Sequence, residues 1–152
     1  VDVVTANGPE AALAIVAGVL KLAEGRFESL LTTDASLNRK SLIDEEEAES
    51  EGELAITLYR TERSFRDASL MRIELLTGRR HQIRVHFAES GHPVLGDDRY
   101  RPHQAQHPWW KPGRLALHAT RLEFTHPVTQ STLVFDSPLP EAFQRFLDRP
   151  KS

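Results

Sequence analysis

Between Thr77 and Tyr100 the chain sets polar and cationic side chains tightly beside an apolar strand. Thr77–His86 reads Thr-Gly-Arg-Arg-His-Gln-Ile-Arg-Val-His, and Gly91–Tyr100 reads Gly-His-Pro-Val-Leu-Gly-Asp-Asp-Arg-Tyr. Such a mixture builds a core poorly and a site well. Arg80 and Arg84 are four apart, so a helix would place both on one face, where two guanidiniums can hold a carboxylate or a phosphate. The break at Thr77-Gly78 predicts a strand that turns into a helix, with free backbone N–H groups favouring an anion. The competing reading is a pair of surface arginines matched to acids of the same chain, and both readings stand at this point.

Other chemistries find less support. His81 and His86 are five apart and do not share a helix face, there is no His-Glu-x-x-His, and the nearby acids lack ligand spacing, so no metal site is expected. No Gly-x-Ser-x-Gly, phosphate-loop or dinucleotide pattern occurs. Trp109, Trp110 and Lys111 could stack and hold nucleobases, but an aromatic pair of this kind more often caps a domain.

The elements that must position these residues can be read from periodicity. Ala14–Val19 and Phe27–Leu31 are short apolar strands. Leu54–Arg63 alternates, with Leu54, Ile56 and Leu58 on one face and Thr57 and Tyr59 on the other. Ser69–Leu76 alternates with Met71, Ile73 and Leu75 inward. Arg80–Ser90 predicts a helix with Thr77 as N-cap and Gly91 as C′ residue. Arg101–Gly113 is a Pro-rich loop. Leu115–Ala119, Arg121–Thr125 and Thr132–Asp136 read as strands, the last two joined by a turn at His126–Ser131. Pro140–Leu147 is a closing helix with Phe143, Phe146 and Leu147 as its apolar stripe. The sum is one α+β domain over residues 1–152, a mostly antiparallel mixed sheet with a few short helices. Residues 32–53 are expected to form a flexible acidic loop.

The 152 residues suffice for one core. No cysteine is present, which fits a reducing compartment. No apolar run is long enough to span a bilayer, and the start does not resemble a signal peptide, so a cytoplasmic protein without membrane attachment is expected. The net charge of −3 hides an asymmetry: Asp44–Glu53 holds seven acids and no base, whereas Arg72–Arg121 holds nine bases against four acids. A basic region of that kind can gather a polyanion.

The segment Thr77-Gly78-Arg79-x-His81-Gln82-Ile83-Arg84-Val85-His86, followed by Gly91-His92-Pro93-Val94-Leu95-Gly96-Asp97-x-x-Tyr100, resembles the signature of the RluA family of RNA pseudouridine synthases. Leu115-x-Leu117-His118-Ala119-x-x-Leu122-x-Phe124-x-His126-Pro127 and the upstream Ala55-x-Thr57-x-Tyr59 are similar to that family's flanking motifs. The resemblance implies a cofactor-free isomerase acting on ribosomal or transfer RNA, with the target nucleotide taken out of the stack. It assigns to Arg84 the salt bridge that orients a catalytic aspartate, and to Leu117 packing near the base. Arg79, Arg80, His81, Gln82, Arg99 and Lys111 become the expected RNA contacts.

The family's catalytic aspartate belongs to a His-Arg-Leu-Asp-x-x-Thr-Ser-Gly motif, which does not occur in these 152 residues, and Glu10 and Ala12 stand where the family has Lys-x-Tyr. The sequence therefore resembles the C-terminal portion of a catalytic domain. The expectations are a chain inactive by itself, with Arg84 left without an aspartate and with Asp97 and Asp98 serving a structural turn. A non-catalytic RNA-binding remnant and an interaction module that self-associates through an exposed sheet edge are the alternatives.

Overall fold

The computed structural model describes residues 5–6, 10–42, 52–125, 128–129, 132–136 and 138–149. Among these residues eight strands occur in chain order: β1 (Thr5–Ala6), β2 (Glu10–Ala17), β3 (Glu24–Thr33), β4 (Arg39–Ser41), β5 (Glu53–Ser64), β6 (Ala68–Leu75), β7 (Leu117–Thr125) and β8 (Thr132–Asp136). Two helices accompany them, α1 (Gln82–Glu89) and α2 (Glu141–Leu147). The strands form one sheet in the order β1-β7-β2-β6-β5-β3-β4, with β8 also on β7, and every described pair is antiparallel. The α+β architecture read from the sequence is the one found.

Alternation explains which face is buried. In β6, Met71 and Ile73 are fully buried while Arg72 and Glu74 face solvent. Register carries this face across the sheet: Tyr59 lies opposite Ile73, Thr57 opposite Leu75, and Phe27 opposite Thr57. The inner face of β5 is therefore Ala55, Thr57 and Tyr59, and the more apolar Leu54, Ile56 and Leu58 lie on the outer face. Helix α1 covers the inner face with Phe87, whose ring meets Phe27 edge-on at 5.1 Å, while Phe27 stacks on Tyr59 at 4.8 Å. Helix α2 buries Phe143, Phe146 and Leu147 against Trp110 and Phe65, as its apolar stripe requires.

Several boundaries differ from the sequence reading. The expected loop at 32–53 is structured at both ends: Thr32 and Thr33 finish β3, Arg39–Ser41 form β4, and Glu53 opens β5. Asp34 makes the connecting turn, its carboxylate accepting the Ser36 and Asn38 N–H groups. Most of the acidic run lies outside the described residues. Leu115–Ala119 and Arg121–Thr125 merge into β7, which stays continuous because Ala11 and Ala12 pair with Arg121 and Ala119, leaving Thr120 as a bulge. Of the turn at His126–Ser131, only residues 128–129 are described.

The first helix begins two residues later than expected. Its N-cap is His81, in the left-handed region at φ 58°, and Arg80 lies outside the helix. Thr77 serves the sheet instead: its hydroxyl oxygen accepts the Ile56 N–H and its O–H donates to Gln82 Oε1. The helix ends as Gly91 foretold, with φ 89°, Gly91 N–H bonded to the Ala88 carbonyl and His92 N–H to that of Phe87.

Candidate active site and nucleic-acid interface

Residues 76–81 lead from β6 to α1, and Gln82 folds this segment. Its Oε1 accepts from Thr77 Oγ1 and from the Arg79 N–H, and its Nε2 donates to the Ile56 carbonyl and to Thr57 Oγ1. Gln82 is only 2% exposed. Every polar atom of the amide is occupied inside the protein, so the expected RNA contact at Gln82 is corrected to a structural one. The same amide takes an N–H that the strand-to-helix turn was expected to offer to an anion.

Two residues along α1, Arg84 projects toward the loop that follows the helix. Its Nε–H donates to Asp97 Oδ2 at 2.9 Å and its Nη2–H to Asp97 Oδ1 at 2.8 Å. Asp97 Oδ1 also accepts the backbone N–H groups of Arg99 and Tyr100. Burial opposes ionisation of Asp97, but the Arg84 guanidinium and the two N–H groups outweigh it and hold the carboxyl below its usual range. The hydrogen bond to Asp97 correspondingly raises Arg84, against its own burial. Arg84 also lies over the Tyr100 ring, 5.2 Å from its centroid, and Asp98 stands 3.7 Å from Nη2. The expectation that Arg84 has no aspartate is thus corrected: Asp97 holds it. The Asp97 side chain is fully buried and accepts four hydrogen bonds. Among the described residues, nothing bonds Arg84 Nη1.

The turn carrying Asp97 depends on Gly96. Its φ is +80°, and an added Cβ would lie 1.7 Å from the Arg114 carbonyl oxygen. Gly-Asp was therefore a readable signal for the partner of Arg84, although the motif alone pointed only to a turn.

The other expected site residues divide into groups. Arg79 is occupied by the Leu54 carbonyl and Glu53. Arg80 and Arg99 are both exposed and both reach the Leu37 carbonyl. His81 bonds Tyr100 Oη through Nδ1 at 2.8 Å. His86 lies elsewhere, buried between Ser29 and Thr57, so the two histidines serve separate networks. Leu117 is half-buried opposite Ala14 and packs on the main core. Lys111 is exposed in the Pro-rich loop, where Trp110 caps the core and Trp109 stays 56% exposed. An open cleft of about 510 Å³ runs along that loop past Asp97, Asp98 and Trp110, but neither Arg84 nor Leu117 lines it.

A model of the RNA pseudouridylate synthase family matches residues 13–89. The chain belongs to that family. It is 33% identical over 138 residues to the ribosomal large subunit pseudouridine synthase C of Escherichia coli O6:H1, covering 86% of this chain and 43% of that protein. It is 36% identical over 148 residues to an uncharacterized RNA pseudouridine synthase of Chlorobaculum parvum, covering 90% and 45%. The chain spans less than half the length of these curated relatives. The fold is also that of human RNA pseudouridylate synthase domain containing 1, with a TM-score of 0.71 at 23% identity over 87% of this chain and 55% of that one. These relatives agree with the RluA-type resemblance carried by the motifs around Arg84. No helix among the described residues is long and apolar enough to cross a membrane.

Proposed function

We propose that this chain carries the arginine side of an RluA-type site that isomerises uridine to pseudouridine in ribosomal or transfer RNA. The observation that carries the reading is Arg84, locked side-on by a buried carboxylate with its Nη1 left unbonded among the described residues. An arginine fixed in this way presents a pre-oriented cation to a second carboxylate without paying for its own ordering. In the reaction that the family resemblance implies, the C1′–N1 glycosidic bond breaks, the uracil turns, C1′ bonds to C5, the C5 proton leaves and N1 takes up a proton. Atoms and electrons balance within the nucleotide, so no cofactor is required. Leu117 would pack near the base, and Arg79, Arg80, His81, Arg99 and Lys111 would line the path of the RNA.

The His-Arg-Leu-Asp sequence is not among the 152 residues, and Asp97 is occupied. We therefore read this chain as an RNA-binding unit of one domain, cytoplasmic, that leaves uridine unchanged by itself. Incubation of the purified chain with transcribed ribosomal RNA, followed by nucleoside mass spectrometry, tests this. RNA binding without pseudouridine is expected, and pseudouridine formation would overturn the inactivity.

Self-association is the second reading, favoured by one observation. Leu54 and Leu76 are 44% and 50% exposed on the outer sheet face, beside half-buried Leu30 and Ile56. It predicts a sedimentation coefficient that rises with concentration and no affinity for RNA.

A further inference from the structure

Arg80 Nη2 and Arg99 Nη1 converge on one oxygen, the Leu37 carbonyl, at 3.1 and 3.5 Å. Leu37 sits at the tip of the β3–β4 turn, 66% exposed and in the left-handed region at φ 65°. Among the described residues neither arginine pairs with a carboxylate. The nearby acids Asp97 and Asp98 both face Arg84. Two full cations therefore share one neutral acceptor at the protein surface, an arrangement that an anion would relieve and that costs repulsion without one.

His81 stands beside them, and the geometry fixes its proton. Its Nδ1 faces Tyr100 Oη at 2.8 Å and Arg80 Nη1 at 3.4 Å. The Arg80 guanidinium can only donate, so Nδ1 accepts and the Tyr100 O–H donates to it, while Tyr100 Oη accepts the Arg39 N–H at 3.0 Å. Nδ1 is then an acceptor from two donors, and the ring proton resides on Nε2, for which no described residue provides a partner. Burial and the charges of Arg84, Arg80 and Arg99 keep the ring below its ordinary pKa, in agreement with a neutral imidazole of fixed tautomer. The left-handed backbone at His81 is an unusual conformation for a non-glycine residue.

We propose that Arg80, Arg99 and the Nε2–H of His81 form a seat for one phosphodiester of the bound RNA. This rests on the RNA-binding reading above and names the group that these residues recognise. A phosphodiester offers two non-bridging oxygens that share one negative charge and two bridging ones, enough for three donors, two from the segment before α1 and one from the loop that follows it. In the free protein the Leu37 carbonyl holds the two guanidiniums in place, and the phosphate replaces it. The seat reads no base. It sets where the backbone crosses the end of α1, one helical turn from Arg84.

The test is binding of a uridine-containing single-stranded RNA to the 152-residue protein, followed by fluorescence anisotropy across a range of salt concentrations. Arg80→Gln and Arg99→Gln should each weaken binding and each reduce the slope of log K against log salt by about one. Arg60→Gln, on the outer sheet face and paired with Glu62, should leave the slope unchanged. In parallel, inorganic phosphate should shift the His81 ring ¹⁵N resonances of the parent, and not those of the Arg80→Gln/Arg99→Gln variant. RNA binding with unaltered slopes in both single variants would overturn the seat and leave the RNA-binding reading intact. No RNA binding by the parent, with the phosphate response present, would overturn the RNA reading and with it the phosphodiester assignment, leaving a seat for free phosphate. No response in either experiment overturns both.

Discussion

Arg84 and Asp97 meet side-on, Nε to Oδ2 at 2.9 Å and Nη2 to Oδ1 at 2.8 Å, with the carboxylate wholly buried and the guanidinium side chain 17% exposed. Asp97 ties its own loop to α1 through this contact, since the Arg99 and Tyr100 N–H groups share its Oδ1. Asp97→Asn keeps the shape, removes the charge and turns one acceptor into a donor aimed at a guanidinium. Breaking one side of a buried pair costs about 3–5 kcal/mol, and the exposed Asp98 at 3.7 Å can take over part of the charge. A loss of about 3 kcal/mol in urea unfolding is therefore expected, at the low end of that range. A change under about 0.5 kcal/mol, the level of an ordinary surface substitution, would show that the pair contributes nothing to the fold.

Gln82 separates a structural role from an RNA-contact role within the same motif. All its amide atoms are used internally, and Gln82→Leu would orphan the Arg79 N–H and take one partner each from the Thr57 and Thr77 hydroxyls, which keep His86 and the Ile56 N–H. Unsatisfied buried groups cost about 1–3 kcal/mol each. Several can turn to other partners, so a net loss of about 2–3 kcal/mol is expected by urea denaturation, with the RNA affinity of the folded protein unchanged. A selective loss of RNA affinity at full stability would restore Gln82 as a contact.

Gly96 is the backbone counterpart of Asp97. Gly96→Ala adds a methyl at φ +80° and within 1.7 Å of the Arg114 carbonyl. The left-handed strain alone costs about 1 kcal/mol, and the backbone clash adds to it. The turn should shift, the Arg84–Asp97 contact should loosen, and the thermal midpoint should fall. Glycine-like behaviour of the alanine variant in differential scanning calorimetry would contradict the geometry. Gly78→Ala is the matched control, because its Cβ would meet nothing within 4 Å.

The elements most legible in the sequence were those whose own pattern decided them. Met71 and Ile73 against Arg72 and Glu74 gave β6 its inner face, and Phe143, Phe146 and Leu147 gave α2 its buried stripe. Where a partner decides, local pattern does not. Leu54, Ile56 and Leu58 are more apolar than Ala55, Thr57 and Tyr59, yet the latter face inward, because α1 brings Gln82, His86 and Phe87 over them and Thr57 is needed to satisfy two of those side chains. The site shows the same division. Arg84 was legible by motif, whereas its contact with Asp97 spans thirteen residues and a glycine turn. Arg80 belongs with Arg99 through the Leu37 carbonyl, sixty-two residues before Arg99, a proximity that no spacing rule contains.

The two histidines of the motif set the pH range over which the fold is most stable. Burial lowers the pKa of His86, which sits between Ser29 and Thr57. Burial, followed by the charges of Arg84, Arg80 and Arg99, lowers that of His81. In the unfolded chain both protonate near the ordinary value of about 6.5. Below that pH the unfolded state binds more protons than the folded one, so stability is full above about pH 6.5 and declines as pH falls. Asp97 and Glu62, whose pKa values are depressed, add a second loss only when pH falls below the ordinary carboxylate range near 4. Urea unfolding at about pH 7.5 and about pH 5.5 should therefore give a higher midpoint at the higher pH. His86→Gln, which cannot take up a proton in this range, should reduce that difference to the share of His81 even if it lowers both midpoints. Equal midpoints for the parent at the two pH values would mean that both rings protonate as easily folded as unfolded, which their burial and surrounding cations oppose.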